Sequence, residues 1–355
     1  METIIKKADG NNIDPEVLMQ AGDIIKKGGL VAFPTETVYG LGADALNPLA
    51  SSKIYAAKGR PSDNPLIVHI YRTEDLYKIA ENISEDALKL AEEFWPGPLT
   101  MIFHKKAIVP YETTGGLDTV AVRMPSDKIA MEFIKAAGGF IAAPSANLSG
   151  RPSPTSAAHV IEDMNGRIDM IIDGGIPVIG LESTIVDMTE RVPMILRPGY
   201  VNGEMIKEVL GRVSYDPAVF CENEVVGKAG LKPKAPGMRY RHYAPKGELV
   251  IVRGDRETVT AYIKKGIKNA LKEGSRVGVI TAEENSKVYS DATVLLDIGS
   301  RNREDVIARR LYSVLRECDE KCIDYIYSED FDTPRMGQAI MNRLIKAAGH
   351  NIIEV

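Results

Sequence analysis

The sequence has no long apolar run and few cysteines. No stretch approaches the ~20 apolar residues that a membrane-spanning helix needs, and residues 1–7 lack the apolar segment of a signal peptide. These absences predict a protein with no membrane segment, located in the cytoplasm. The 3 cysteines are too few for a disulfide framework and form no CxxC metal pattern, so reduced thiols are expected. Cys318 and Cys322 lie one helical turn apart, a spacing that favours buried packing over a pair of metal ligands.

Strong positive charge is also missing. The chain carries 44 Lys+Arg against 49 Asp+Glu, a net charge of -5, and the acidic excess lies in its first half. A protein whose main task is to grip nucleic acid usually contains a strongly basic domain, because phosphate neutralisation supplies much of its affinity. The balance therefore favours a small ligand as the primary substrate and leaves room for a local basic groove.

The length and the periodicity of the chain predict two α/β domains. A chain of 355 residues exceeds the ~250 to 300 residues at which a single core stops growing. In the first domain, residues 1–212, short apolar runs alternate with helical patterns such as the one capped by Asp14 and Pro15. Their uneven spacing favours a mixed sheet over a purely parallel one. The predicted strands are 30–33, 66–70, 99–103, 120–124, 140–143, 170–172 and 184–187, and further helices are predicted at 51–57, 84–94 and 127–137.

Residues 213–247 lose this periodicity and are rich in Gly, Pro and Lys, as a linker would be. Regular patterning resumes at residue 248, with strands at 249–252, 277–280, 293–297 and 324–327 alternating with helices at 258–272, 305–316 and 338–347. Residues 248–355 are therefore predicted to form a smaller, doubly wound α/β domain.

Several polar clusters follow the predicted strands of the first domain, where α/β proteins bind ligands. Residues 34–42 (PTETVYGLG) supply hydroxyls and backbone N–H groups, although a plain polar turn fits equally well. Gly40 and Gly42 imitate a dinucleotide-binding pattern, but they begin too late after the strand for that reading to be favoured.

Lys58 and Arg60 are separated by one glycine, so both cations can contact the same polyphosphate. Alternatively, they only complement the negative end of the helix before them. Arg123 lies in an apolar strand, where a guanidinium requires an anionic partner. That partner is either a ligand or a carboxylate of the chain itself. His69 also lies in a strand run, where a packed histidine is the commoner case.

The loops at 144–155, 181–187 and 196–199 add hydroxyls, amides and an arginine, a composition typical of phosphate nests and of ordinary surface loops alike. No nucleophile is paired with a base, and the sequence contains no Walker A, HExxH or GxSxG motif. The remaining pattern favours a cationic, hydroxyl-rich pocket that positions a nucleotide and stabilises charge on a phosphoryl group.

Four ordered motifs resemble the YrdC/Sua5 family of threonylcarbamoyl-AMP synthases. They are PTETVYGL at 34–41, KGR at 58–60, SAN at 145–147 and STIVD at 183–187. The linker stretch PGMRYRHYAP at 236–245 and the second domain resemble the longer, two-domain Sua5 type. The resemblance implies a YrdC-like twisted mixed sheet joined by a linker to a Rossmann-like α/β domain.

The resemblance also implies a nucleotidyltransferase reaction. L-threonine, bicarbonate and ATP would give L-threonylcarbamoyl-adenylate and pyrophosphate, with Mg²⁺ accompanying the ATP and no separate protein-bound metal. The product would pass to a downstream tRNA threonylcarbamoyltransferase that makes threonylcarbamoyladenosine in tRNA. Weak RNA binding is a further implication.

The motifs imply two groups of site residues, with Lys58 and Arg60 as the catalytic pair. The ATP group comprises Lys58, Arg60, Asn64, Thr119, Ser145, Asn147, Ser153 and Arg197, with Tyr240, His242 and Tyr243 from the linker. The threonine group comprises Thr37, His69, Arg123, the backbone of Ala143, and Ser183.

The linker is expected to fold over the nucleotide as a lid that excludes water. Two rival functions remain. A double-stranded-RNA-binding module is disfavoured by the acidic first half. A carbamoyl-transfer module of hydrogenase maturation is disfavoured because the chain has neither the length nor the cysteines for its acylphosphatase and zinc-finger segments.

Overall fold

The computed structural model describes residues 2–10, 12–219, 234–235 and 242–355. The chain separates into two compact units. The first contains Met1–Ser149, Ser153–Phe220 and Val225–Arg239, and the second contains Gly150–Pro152, Cys221–Glu224 and Tyr240–Val355. Cys221 and Tyr240 lie outside the described residues. Gly150–Pro152 groups with the second unit because Ala244 N donates to Gly150 O at 3.0 Å and Arg316 Nη2 donates to Pro152 O at 2.7 Å.

The first unit is built on one mixed sheet. In chain order its strands are β1 (Ile4–Lys7), β2 (Val31–Phe33), β3 (Gly40–Asp44), β4 (Ile67–His69), β5 (Ala80–Glu81), β6 (Leu99–Lys105), β7 (Thr119–Arg123), β8 (Ile141–Ala142), β9 (Met170–Asp173), β10 (Thr184–Asp187), β11 (Met194–Arg197) and β12 (Ser214–Tyr215). Their order across the sheet is β1-β9-β2-β3-β8-β4-β7-β6-β10-β11-β12, with β5 paired to β6. Parallel pairs such as β4/β7 and β6/β10 alternate with antiparallel pairs such as β6/β7, which confirms the predicted mixed sheet.

Eight helices accompany this sheet within the described part of the unit: α1 (Pro15–Lys26), α2 (Pro48–Lys58), α3 (Leu76–Ile79), α4 (Glu85–Phe94), α5 (Tyr111–Thr114), α6 (Lys128–Ala136), α7 (Ala157–Met164) and α8 (Gly203–Leu210), besides short 3-10 helices at Thr73–Asp75 and Pro217–Val219. Local chemistry sets their starts. Asp14 accepts a hydrogen bond from Glu16 N with Pro15 at the first helical position, and Asn47 caps α2 in the same way ahead of Pro48.

The glycine pattern at Gly40 and Gly42 lies inside β3, so it forms no phosphate-binding turn. A Cβ atom at Gly42 would stand 2.9 Å from Ile141 Cγ2, and one at Gly40 would stand 3.1 Å from the Phe33 ring. The two glycines are explained by close packing against β2 and β8.

The two halves of one sheet face are covered differently. Helices α1 and α6 pack on Val31, Phe33 and Ile141. On the neighbouring half, formed by β4, β7, β6, β10 and β11, the buried cluster Ile67, Ile102, Ala121, Ile185 and Leu196 packs against Ala235. This second half, named here the open half-face, carries the candidate site. The opposite face is buried under the larger cluster that includes α2, α4, α7 and α8.

The second unit confirms the predicted doubly wound α/β domain. Its strands are β13 (Glu248–Arg253), β14 (Val277–Thr281), β15 (Val294–Asp297), β16 (Tyr325–Glu329) and β17 (Ile352–Glu354), all parallel, in the order β15-β14-β16-β13-β17. Its helices are α9 (Arg256–Lys272), α10 (Glu304–Glu320) and α11 (Gly337–Ala347), with a 3-10 helix at Glu283–Tyr289.

Cys318 and Cys322 are free thiols. Cys318 is buried but Cys322 is exposed, so the prediction of buried packing holds for Cys318 alone. None of the helices in the described residues combines the length and apolar character needed to span a bilayer.

Gly22 makes the contact between α1 and α6 testable. A Cβ atom at this position would lie 2.6 Å from Ala136 O. Alanine normally stabilises a helix by about 1 kcal/mol relative to glycine. A methyl group forced against the backbone of α6, however, costs about 1 to 3 kcal/mol. Gly22→Ala should therefore lower the free energy of unfolding in urea, followed by the fluorescence of Trp95, the single tryptophan.

Gly10→Ala provides the control, because a Cβ atom at Gly10 meets no atom within 4 Å. This control should remain close to wild type. A stabilised Gly22→Ala variant would contradict the close helix contact.

Candidate functional site

A row of side chains crosses the open half-face. His69 on β4 pairs in register with Arg123 on β7, Arg123 pairs with Thr100 on β6, and Ile185 on β10 pairs with both Thr100 and Arg197 on β11. Residues directly opposite on neighbouring strands point to the same face of a sheet. The sheet therefore brings His69, Arg123 and Arg197, all predicted site residues, onto one surface.

Arg123 is buried and meets an internal carboxylate. Its Nη2 atom lies 2.9 Å from Glu36 Oε1, and both side chains are less than a tenth exposed. Glu36 belongs to the segment between β2 and β3, which is anchored by hydrogen bonds from Ile179 N to Glu36 O and from Gly180 N to Thr37 O. The partner of Arg123 is therefore a carboxylate of the chain itself, Glu36 of the PTETVYGL motif.

His69 is held neutral. Burial, and next the nearby Arg123 charge, lower the pKa of the imidazole to about 3. Its Nδ1 atom lies 3.1 Å from Ile67 O, and its ring packs edge-on against Phe33. In this environment the His69 imidazole is an uncharged hydrogen-bonding group.

Ser183 links β6, β10 and β11. Its hydroxyl shares a 2.7 Å hydrogen bond with the hydroxyl of Thr100, and Arg197 Nε donates to Ser183 O at 3.1 Å. Arg197 Nη2 also reaches Ser183 Oγ at 3.3 Å. Thr100 was missed by the sequence analysis because its position opposite Arg123 depends on strand register.

Lys58 ties a loop to the end of α2. The buried ammonium donates to Ser145 O at 2.5 Å, to Asn147 O, and to Asn147 Oδ1 at 3.4 Å, while Ser149 N donates back to Lys58 O at 2.9 Å. Ser145 Oγ in turn donates to Asn147 Oδ1 at 2.5 Å. The three predicted nucleotide residues Lys58, Ser145 and Asn147 therefore form one hydrogen-bonded cluster, named here the lysine cluster.

Arg60 turns to a different loop from Lys58. Its Nη2 atom donates to Asn64 O at 3.4 Å and to Pro65 O at 3.2 Å. Tyr55, whose pKa burial raises to about 12, also donates to Asn64 O at 3.1 Å. Asn64 Oδ1 is buried and accepts no hydrogen bond from the described residues, which leaves an acceptor available to a ligand.

The remaining predicted residues take separate places. Ser153 donates to Glu182 Oε1 at 2.5 Å, beside Ser183. Thr37 is fully buried and hydrogen-bonded to Thr35 at 2.8 Å. The Ala143 N–H is committed to Ile67 O at 2.8 Å, so a ligand would reach only its carbonyl. Thr119 begins β7, about 13 Å along the strand from Arg123 at ~3.3 Å per residue.

The linker residues fall into different parts of the structure. Lys234 Nζ lies 3.0 Å from Asp187 Oδ2, and Ala235 is fully buried on the open half-face. His242 and Tyr243 belong to the second unit, where the Tyr243 ring packs against Tyr312 at 5.1 Å. Tyr240 lies outside the described residues.

The depressed pKa of His69 predicts a specific pH dependence of stability. The unfolded histidine binds a proton near pH 6.5, whereas the folded one does so only near pH 3. As pH falls from 6.5 towards 3 the unfolded state gains the proton and folding loses stability, by about 2 kcal/mol between pH 7 and pH 5. His69→Gln cannot titrate at this position. The difference in unfolding free energy between wild type and His69→Gln, measured by Trp95 fluorescence in urea, should therefore decrease by about 2 kcal/mol from pH 7 to pH 5.

The exposed His104 supplies a matched control. His104→Gln leaves the burial of His69 unchanged and should keep the wild-type pH slope. A difference between wild type and His69→Gln that stays constant from pH 7 to pH 5 would show that His69 is not held neutral by burial.

Known proteins resemble the chain over almost its full length. A family model described as "Telomere recombination" matches residues 23–199, and one described as "Threonylcarbamoyl-AMP synthase, C-terminal domain" matches residues 201–349. The threonylcarbamoyl-AMP synthase of Pyrococcus abyssi is 50% identical over 335 residues, covering 94% of this chain and 95% of that protein. The enzyme of the same name from Bacillus subtilis is 46% identical, covering 96% and 95%.

Solved structures agree with the sequence matches. P. abyssi Sua5 complexed with L-threonine superposes with a TM-score of 0.92 at 47% identity, covering 99% of this chain and 100% of that one. Escherichia coli YciO shares the fold of the first unit, with a TM-score of 0.51 at 23% identity, covering 56% of this chain and 96% of that one. The chain therefore belongs to the YrdC/Sua5 family, among its two-domain Sua5-type members.

Proposed function

We propose that the chain is an L-threonylcarbamoyl-adenylate synthase, which converts L-threonine, bicarbonate and ATP into threonylcarbamoyl-AMP, pyrophosphate and water. The observation that carries the proposal is its 47% identity, over the whole chain, to a Sua5 protein whose structure contains L-threonine. The enzymes from P. abyssi and B. subtilis named threonylcarbamoyl-AMP synthase support the same reaction.

The amino-acid end of the site is assigned to the open half-face. Arg123 offers guanidinium donors to the carboxylate of threonine, and neutral His69 and the Ser183 hydroxyl offer uncharged hydrogen-bonding groups beside it. Thr37 and the Ala143 carbonyl complete this group. A bound threonine whose amine has captured CO2 would present the resulting carbamate oxygen to the α-phosphate of ATP.

The nucleotide end is assigned to the lysine cluster and to the loop around Arg60. Lys58 donates hydrogen bonds to Ser145 and Asn147, and Arg60 donates to the backbone oxygen of Asn64. Phosphoryl transfer needs positioning and charge stabilisation more than covalent help. Thr119, Ser153, Arg197, His242, Tyr243 and Tyr240 remain proposed nucleotide contacts.

Magnesium is proposed to arrive with ATP. Within the described residues no group of three or more His, Cys, Asp or Glu side chains is arranged to hold a metal ion. The acidic side chains near the site are engaged, Glu36 by Arg123 and Asp187 by Lys234. The site thus fits an ion ligated by the triphosphate, where it would neutralise charge on the departing pyrophosphate.

The product is proposed to feed a tRNA threonylcarbamoyltransferase. The mixed anhydride between a carbamate and a phosphate is reactive towards water, so a cover over the site is advantageous. Ala235, buried on the open half-face, and Lys234, paired with Asp187, are described parts of the linker that lie there. They support a lid role for this segment.

The reaction is tested by pyrophosphate release from Mg-ATP. Wild type should release pyrophosphate only when L-threonine and bicarbonate are both present. Lys58→Met should lower kcat/KM by about 100-fold or more, because the lysine cluster loses its central donor. Lys53→Met is the matched control, since Lys53 lies on the same helix and donates to Gly28 O at 2.6 Å away from the cluster.

Pyrophosphate release that ignores threonine would contradict the proposed synthase activity and indicate another acceptor. Turnover of Lys58→Met close to that of Lys53→Met, with both variants folded by circular dichroism, would remove Lys58 from the site.

The lid role predicts uncoupling when its anchor is broken. Lys234→Met leaves the buried Asp187 carboxylate without its cation, so the segment should detach. We expect a several-fold rise in the ratio of AMP formed by hydrolysis to threonylcarbamoyl-AMP, measured by chromatography. Arg212→Met, which breaks a more exposed ion pair with Asp86, is the control; an unchanged ratio in Lys234→Met would argue against a lid.

A further inference from the structure

Helix α9 of the second unit carries four lysines on one exposed face. Lys264, Lys268 and Lys272 follow one another at intervals of four residues, and Lys265 lies three residues before Lys268. Residues three or four apart on a helix are neighbours on its surface, so these side chains adjoin one another. All four are exposed, and none forms an ion pair or a hydrogen bond with a described residue. This face is named here the lysine stripe.

The acidic residues at the two ends of α9 do not neutralise the lysine stripe. The helix contains one acidic residue, Glu257, which lies in its first turn and ~10 Å before Lys264 along the helix axis. Glu273 directly follows Lys272, but adjacent residues of a helix do not face each other. The stripe therefore has no carboxylate one turn away on its own helix.

Other helices of this chain neutralise their surface cations locally. Carboxylates three or four residues away on the same helix, or in its last turns, pair with Lys26, Lys135, Arg309 and Lys321. Opposite charges at these spacings stabilise a helix by about 0.2 to 0.5 kcal/mol per pair, whereas like charges destabilise it by similar amounts. The lysine stripe consists of like charges at these spacings, so it lowers the stability of α9. A negative partner outside the unit would remove this repulsion.

The geometry of the stripe fits the phosphate backbone of a nucleic acid. Each step of four residues advances by ~6 Å, so the line from Lys264 to Lys272 is ~12 Å long and can follow successive phosphates of one strand. A membrane surface fits less well, because a membrane-bound helix inserts its apolar face into the lipid, and the apolar face of α9 is packed in the core of the unit. A protein partner also fits less well, because lysine is depleted in protein interfaces.

Resting on the proposed function, whose product is destined for tRNA, we propose that the lysine stripe binds the phosphate backbone of tRNA. The whole chain has a net charge of -5, so its overall charge opposes association with RNA and binding depends on this local surface. Contacts to phosphates carry no base information. The binding is therefore independent of tRNA sequence, strongly dependent on salt, and of micromolar strength, with a Kd of roughly 1 to 100 μM at physiological salt.

Fluorescence anisotropy of a labelled, unmodified tRNA transcript tests the proposal with the full-length protein at several salt concentrations. The stripe variant combines Lys264→Gln, Lys265→Gln, Lys268→Gln and Lys272→Gln, since glutamine has nearly the helix propensity of lysine. Its Kd should rise at least tenfold at about 50 mM salt. The slope of log K against log salt should become shallower by about 0.7 to 0.9 for each lysine that contacts a phosphate.

The matched control neutralises four cations that have carboxylate partners, and it combines Lys26→Gln, Lys135→Gln, Arg309→Gln and Lys321→Gln. It changes the net charge by the same amount as the stripe variant but should bind tRNA like wild type. Pyrophosphate release with L-threonine and bicarbonate should be equal in wild type and both variants, because none of the eight residues belongs to the proposed active site. Circular dichroism establishes that each variant is folded.

The contrary results are separable. Equal rises in Kd for the stripe variant and the control would show that net charge governs binding, and would overturn the proposal. No affinity of wild type for tRNA, tighter binding to duplex DNA, or binding to phosphatidylserine vesicles in place of tRNA would also overturn it. Should the stripe variant fail to fold, a wild-type affinity for tRNA that does not change with salt would overturn it. Wild type that releases no pyrophosphate in response to L-threonine would overturn the proposed function, whereas stripe-dependent binding of tRNA would still support the assigned surface.

Discussion

A guanidinium buried against a sheet must meet a counter-charge, and in the first unit Arg123 meets Glu36. This constraint organises the open half-face. Because Glu36 lies in the segment between β2 and β3, its contact with Arg123 connects that segment to β7, which β8 and β4 separate from β3 in the sheet. The same segment carries Thr37 and receives hydrogen bonds from Ile179 and Gly180, so one ion pair and two backbone contacts hold a loop over the sheet.

A second buried cation orders the other end of the site by a different means. Lys58, at the last position of α2, is satisfied by backbone carbonyl oxygens and one side-chain amide. Gly59 follows with a φ of 63°, a left-handed conformation that ends the helix at low cost for glycine and redirects the chain towards Arg60. The helix end, the glycine and the loop at Ser145 and Asn147 therefore form one unit of structure.

Apolar runs predicted the strands well where burial on both faces made them continuous, as for β6 and β7. They failed for β3, because Gly40 and Gly42 suggested a turn. The side chains of Phe33 and Ile141 leave no room for a Cβ atom at these two positions. This requirement comes from the neighbouring strands β2 and β8, so the sequence of β3 does not reveal it. They also failed for β1, which is exposed along its length. The sequence indicated that Arg123 needs an anion, but only the folded loop identifies Glu36. The position of Thr100 opposite Arg123 could not be predicted either, because it depends on how β6 and β7 pair in the folded sheet.

The two buried cations are held by different kinds of group. Carbonyl and amide oxygens accept hydrogen bonds from Lys58, which lies at the end that is proposed to bind the nucleotide. Arg123 is instead neutralised by Glu36, with Asp127 nearby and His69 uncharged. A carboxylate thus holds the guanidinium on the open half-face, whereas carbonyl and amide oxygens of a loop hold the ammonium at the end of α2, and both arrangements follow from the fold alone.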